Sequence, residues 1–178
     1  HEQPALRLDT PKASVYEGDK PSVDQILNSI RLLLSEEIKP RDITILCANI
    51  EFLRKCEREL NKIAIEAMTS FETEKNYQEL ADKWSKLDKR KLNKRVKDIR
   101  DSKKISFDQF SPLLKMSTVH SYKGMDSNTV LFIVMPEDNE EIIYTGMTRS
   151  KQNLMLHTPE KSLFTEFFKT QSLEIVHV

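Results

Sequence analysis

Residues 117–126, STVHSYKGMD, gather Ser117, Thr118 and Ser121, a histidine, an aromatic ring and a Lys-Gly step into ten positions. The chain has only three glycines, so one spent beside a lysine after an apolar run invites a chemical reading. Gly124 lets the backbone approach a ligand closely or take a left-handed turn. Lys123 supplies positive charge, and the three hydroxyls can hydrogen-bond to phosphate oxygens. The set suits a phosphate-bearing ligand, though an ordinary turn joining two strands accounts for the same residues. His120 by itself fits a structural role as readily. A second candidate, Arg149, lies in IIYTGMTRSKQNLML near the end of an apolar helical segment. It either offsets the negative end of the helix dipole or presents a planar, multi-donor guanidinium to a phosphoryl group.

The elements that must position these residues follow from periodicity. PSVDQILNSIRLLLSEEIKP predicts an amphipathic helix with Ser22 as N-cap, Ile26, Ile30, Leu33 and Leu34 on its apolar face, and Pro40 ending it. DITILCAN then predicts a short strand over residues 43–47. IEFLRKCERELNK predicts a helix carrying Phe52, Leu53, Cys56 and Leu60 on one side, and IAIEAM a second strand. This strand–helix–strand order points to a parallel sheet. LLKMSTV and TVLFIV frame the 117–126 stretch as continuous apolar runs, which suits strands buried on both faces. EEIIYTGMTRSK reads as a helix with Ile143 and Met147 four apart, NLMLH as a strand, KSLFTEFFKT as a helix and LEIVHV as a last strand or tail. The predicted fold class is α/β, a mainly parallel sheet flanked by helices. Thr118 and His120 then sit at the carboxyl end of a strand, where open α/β sheets collect ligands.

Composition bounds the function. The 28 Lys and Arg balance the 28 Asp and Glu, but the charge is uneven. Residues 83–104 hold eleven Lys or Arg against three Asp, a net of +8, so a neutral total leaves room for an anionic partner. From residue 72 to 104 the chain is polar and helix-friendly, with Tyr77, Leu80, Trp84 and Leu87 as a thin apolar stripe. A solvated helix face accounts for that charge run as well as nucleic-acid contact does. Cys47 and Cys56 suit free buried thiols in a reducing compartment. No metal-ligating spacing appears, and no apolar run reaches the roughly 18 residues of a membrane span. The amino terminus lacks the pattern of a signal peptide, and His1 in place of Met suggests a tag remnant or the edge of a longer protein. A cytoplasmic location is expected.

Taken together, the two segments carry a resemblance. MSTVHSYKGMDSNTVLFIV is similar to motif V of superfamily 1 helicases of the UvrD/Rep type, T-x-H-x-x-K-G-[LM]-[ED] before an apolar strand. IIYTGMTRSKQNLML resembles motif VI, with its core Y-V-[AG]-[LM]-T-R-[AS]. IKPRDITILCANIEFLRKCEREL resembles the opening of that family's second RecA-like domain. The likeness spans most of residues 15–156. It implies that residues 1–178 form one C-terminal RecA-like lobe with a basic helical insertion at about 72–104. ATP with Mg²⁺ would lie between this lobe and an N-terminal one. Arg149 would match the arginine finger, stabilising charge on the γ-phosphate. Gly124, Asp126 and Lys123 would face the nucleotide, and Thr118, His120 and Ser121 single-stranded DNA, with RNA also open. Tyr144 and Thr148 would support Arg149. The parent would be an ATP-dependent helicase or translocase, with DNA repair as a natural setting.

Several departures qualify the likeness. Cys47-Ala48 stands where motif IV often reads Tyr-Arg, and Asp126 replaces a more usual Glu. The family's inserted accessory domain is absent or reduced to about residues 70–112. No G-x-x-x-x-G-K-[ST] phosphate loop occurs, so the chain by itself is expected to be inactive, lacking the Walker A and B motifs. The alternative is a helicase-derived module that binds nucleic acid or protein without ATPase activity. A phosphate-binding metabolic enzyme would need acids or bases around the loop, and no such constellation is present.

Overall fold

Every residue of β2 (Ile43–Cys47) and of β4 (Leu114–Thr118) is buried, which requires cover on both faces of the sheet they share. The computed structural model describes residues 12–16, 21–84, 86, 88–159 and 174–177. Its seven strands run in the order β3-β4-β2-β5-β6-β1-β7, with β1 Lys12–Tyr16, β3 Ala67–Thr69, β5 Ser127–Ile133, β6 Ser150–Pro159 and β7 Glu174–His177. All neighbours pair in parallel.

Side chains alternate across the strands, so two cores form. Ile43, Ile45, Cys47, Leu131, Ile133 and Met155 share one with α1 (Val23–Ser35) and α2 (Ile50–Lys62). Leu46, Val130, Phe132, Leu154 and Leu156 share the other with Tyr122 and with Ile143 of α5 (Glu140–Met147). Both cysteines are free and buried, and burial pushes the Cys56 thiol up to about 12.

Local chemistry sets the helix ends. Ser22 and Gln25 form a reciprocal capping box on α1, and Asn49 caps α2 through Phe52 N–H at 2.9 Å. Both helices close with paired bonds characteristic of a left-handed cap: Ile38 N–H to Leu33 O and Glu37 N–H to Leu34 O, then Ile65 N–H to Leu60 O and Ala64 N–H to Asn61 O. The left-handed positions are held by Glu37 (φ 61°) and Ala64 (φ 58°) rather than glycine. That reversal corrects the strand expected over IAIEAM. Residues 63–66 complete the turn, and β3 begins at Ala67.

The polar segment folds back as α3 (Glu74–Trp84) and α4 (Lys89–Ser106). The expected apolar stripe is thin in fact, since no residue of α3 is buried. The segment is fastened instead by charge. Glu72, with no side-chain exposure, receives Arg54 at 3.0 Å and Arg100 at 2.8 Å, while the Arg54 guanidinium lies 3.7 Å from the Tyr77 ring centroid. β1 was not anticipated from the sequence. The helix expected over KSLFTEFFKT lies outside the described residues, and LEIVHV contributes β7. No described helix is long and apolar enough to cross a membrane.

His157 on β6 is fully buried, with Nε2 2.9 Å from Ser29 Oγ on α1 and Nδ1 unpartnered among the described residues. Burial lowers its pKa from an ordinary 6.5 to about 4. The unfolded chain therefore takes up this proton first as pH falls. Stability from this group is complete above about 6.5 and falls by about 1.4 kcal/mol per pH unit down to about 4. Asp138, raised to about 6 chiefly by burial, acts in the opposite sense over the lower part of that window. The difference between wild type and His157→Gln in urea unfolding isolates the histidine: the two curves should converge as pH drops from 6.5 to 4. Separately, Ala64→Gly should raise stability by about 0.5–1 kcal/mol by relieving the left-handed alanine, read as a higher urea midpoint at unchanged slope.

Candidate nucleotide and nucleic-acid site

Residues 119–126 must carry the chain from the carboxyl end of β4 to the amino end of β5, across β2, which lies between them. Eight residues are short for a parallel crossover, which usually holds a helix and a dozen residues or more. The segment crosses instead as linked turns: Tyr122 N–H to Thr118 O at 3.0 Å and Met125 N–H to Tyr122 O at 3.1 Å. Tyr122 anchors it. The ring is fully buried, and its hydroxyl donates to Asp126 O at 2.9 Å, 3.4 Å from Thr44 Oγ1 on β2. Phe107 meets it edge to face at 6.1 Å.

The crossover divides the expected site between opposite ends of the sheet. Thr118, His120 and Ser121 lie at the carboxyl end. Thr118 Oγ1 accepts Ser121 N–H at 3.2 Å and donates to Ser121 Oγ at 2.8 Å, so these two hydroxyls hold each other. Ser117 is withdrawn altogether, fully buried and 2.7 Å from Ser70 Oγ. His120 is exposed and near Asp138, whose charge it influences.

Gly124, Asp126 and Arg149 stand at the amino ends of β5 and β6, opposite the carboxyl edge that holds Thr118 and His120. Gly124 has φ +88°, with no atom within 4 Å of where a Cβ would sit. The turn demands the glycine, and space above it stays open. Asp126 pairs with Lys151 at 2.6 Å, both half exposed. Lys123 is exposed.

Arg149 follows α5 rather than lying in it, with Thr148 as the C-cap. Its backbone carbonyl accepts Ser127 N–H at 2.9 Å, fixing it to the start of β5. Its guanidinium donates to Thr145 O at 3.1 Å, Met125 O at 3.3 Å and Thr148 Oγ1 at 3.1 Å. The bond to Thr145 O is the helix-end role anticipated for an arginine here. The bond to Met125 O reaches across to the Gly124–Asp126 turn. No carboxylate pairs with Arg149 among the described residues. Thr148 braces it directly, its hydroxyl in turn held by Tyr144 O at 2.9 Å. The Tyr144 side chain is 73% exposed, so Tyr144 contributes only its carbonyl.

A cleft of about 250 Å³ opens at the same amino-terminal edge, lined by Arg41, Asp42, Phe110, Lys115, Asp126 and Lys151 among others. Lys115 is buried and donates to Arg41 O; burial lowers its pKa. Phe110 is 83% exposed. The one sequence signal for this cleft is the lone lysine inside the apolar run LLKMSTV. Among the described residues no His, Cys, Asp and Glu cluster could hold a metal ion.

The two glycines flanking the site differ in kind. A Cβ on Gly146 would meet the buried Phe132 ring at 2.6 Å, so this residue lets α5 lie close on β5. Gly146→Ala should cost about 1–3 kcal/mol through overpacking and displace the Arg149 end of α5. Gly124→Ala should cost about 1–2 kcal/mol through backbone strain alone. Gly124→Asn, which tolerates left-handed backbone, should recover part of the second loss. No substitution at Gly146 is expected to recover the first; thermal unfolding separates the two.

No family model matches the chain, and no curated protein does. Among solved structures, the chain is similar to the C-terminal domain of a possible DNA helicase from Lactobacillus plantarum WCFS1, at TM-score 0.57 and 13% identity over 94% of this chain and 85% of that one. It is also similar to the RNA helicase Prp28 from Chaetomium thermophilum bound to ADP, at TM-score 0.55 and 9% identity, covering 94% of this chain and 38% of that one. At such identities the likeness is one of fold: this chain has the α/β, RecA-like fold found in the C-terminal domains of helicases.

Proposed function

We propose that the chain is the second motor lobe of an ATP-dependent helicase or translocase of the UvrD/Rep type, with residues 1–178 acting as one unit. The observation that supports this is the placement of Arg149: a guanidinium without a carboxylate partner among the described residues, held against the Gly124–Asp126 turn at one edge of the sheet. A planar cation so placed can answer charge that develops on a phosphoryl group delivered from a facing lobe. ATP with Mg²⁺, when bound, would supply the phosphoryl group and its leaving nucleotide. The residues here fit that partner. Gly124 leaves the turn open, the half-exposed Asp126 suits a ribose hydroxyl, Lys123 adds positive charge, and Thr148 holds the arginine's orientation.

At the other end of the same crossover, Thr118, His120 and Ser121 are assigned to a single strand of DNA or RNA. Exposed His120 is the group best placed to reach it, with the Thr118–Ser121 pair setting the turn. The Tyr122-anchored segment is then the mechanical link between the two ligands. A binding module without ATPase activity has one feature in its favour, the Cys47-Ala48 step at the end of β2.

The test uses the protein carrying both lobes. Arg149→Ala should reduce strand-stimulated ATP turnover by about 10³-fold or more, as loss of an arginine finger does, while strand affinity stays within a few fold. Arg149→Lys should recover little, because an ammonium cannot reproduce the planar fork. Turnover that survives Arg149→Ala would refute the motor assignment and favour the binding module.

A further inference from the structure

The basic segment divides in the fold into an inward and an outward set. Leu92 and Val96 are buried, and Arg100 and Lys103 turn the same way, onto Glu72 and Thr69. Those two cations hold α4 in place. Lys89, Arg90, Lys94, Arg95, Lys97 and Lys104 are exposed, and none lies within 4.0 Å of a carboxylate among the described residues. A polar helix that merely faces solvent is usually laced with pairs three or four positions apart. Here Lys94 has Asp98 at that spacing and Lys97 has Asp101, yet neither pair closes.

Helical spacing puts Arg90, Lys94, Lys97 and Lys104 along one stripe about 21 Å long at 1.5 Å per residue, with exposed Asp101 the single acid on it. Beside the start of α4 sits Trp84, partly exposed at the end of α3, with Lys83 Nζ 5.5 Å and Lys91 Nζ 5.2 Å from its ring centroid. Unpaired cations in a row with an aromatic face at one end is the chemistry that tracks a nucleic-acid strand: cations for phosphates, the ring for a base. By contrast the carboxyl edge of the sheet, near His120, carries Glu137, Asp138, Glu140 and Glu141. That edge offers the strand the Thr118, His120 and Ser121 groups but no row of cations, so phosphate neutralisation falls to another surface.

We infer that the α3–α4 hairpin is a strand-binding arm, with Arg90, Lys94 and Lys97 contacting the phosphates of a single-stranded nucleic acid and Trp84 stacking on one of its bases. This extends the proposed function but does not depend on it, since the arm contains none of the residues assigned to the motor.

The test measures binding of a fluorescent oligothymidylate to the full chain across a salt series. Arg90→Glu/Lys94→Glu/Lys97→Glu should weaken binding at least 10-fold and lower the salt slope by about 2, as expected for three lost phosphate contacts on a single strand. Trp84→Ala should weaken it about 10-fold with the slope unchanged. Arg31→Glu/Lys55→Glu/Lys62→Glu makes the same charge change on α1 and α2 and should leave the slope intact; circular dichroism confirms that each variant is folded. Equal losses in both triple variants would reduce the effect to net charge and overturn the arm. So would an unchanged slope in the α4 variant, or equal displacement of the oligonucleotide by polyglutamate, which would point to an acidic protein partner. Oligonucleotide binding reads the arm alone, whereas the motor assignment is read by ATP turnover in the two-lobed protein, so failure of one is told apart from failure of the other.

Discussion

The structure turns on a length constraint. β4 and β5 run parallel with β2 between them, and only residues 119–126 join them. A chain of eight residues can span at most about 26–29 Å, while a five-residue strand is about 16 Å long. There is room to return along the sheet and to turn, but none for a covering helix. The segment must therefore be its own cover. Tyr122 meets that need, filling the core between Leu46, Val130 and Phe132 while its hydroxyl ties the far end of the crossover. Burial raises its pKa, so the phenol stays a neutral donor to Asp126 O.

The same constraint gives the site its geometry. A crossover too short to wander holds Thr118 at one edge of the sheet and Asp126 at the other, with one rigid anchor between. Arg149 joins it from the neighbouring strand. Its carbonyl is bound to Ser127, its guanidinium to Met125, and the preceding helix α5 is set close on β5 by Gly146. The register irregularity between Ser127 and Thr129 falls at this junction, where β5 and β6 begin. A displacement of the turn at Gly124 would be felt by Arg149 through the Met125 carbonyl. A displacement at Thr118 would be passed through Tyr122.

Much of this was legible in the residues. Continuous apolar runs in β2, β4 and β5 gave a buried parallel sheet, and Ser22 marked the first helix. The order of strands was not legible, because periodicity says which residues face the core and not which strand lies next to which. Sequence pattern places only Thr118 and His120, at the carboxyl end of a strand, whereas topology adds that Gly124, Asp126 and Arg149 stand at the amino edge. Tyr144 stands on a motif position, yet its side chain is exposed, which no local pattern encodes. The basic block was readable as charge alone. Only the fold separates Arg100 and Lys103, spent on Glu72 and Thr69, from the cations left facing outward.

The most direct measurement of the central claim is a structure of the two-lobed protein with ADP and a trigonal-planar or tetrahedral metal fluoride in place of the γ-phosphate. The account predicts the Arg149 guanidinium within about 3.5 Å of the fluoride, its bond to Thr145 O or Met125 O given up, and Gly124 against the nucleotide. An Arg149 still bonded to both carbonyls, with the fluoride beyond its reach, would contradict it.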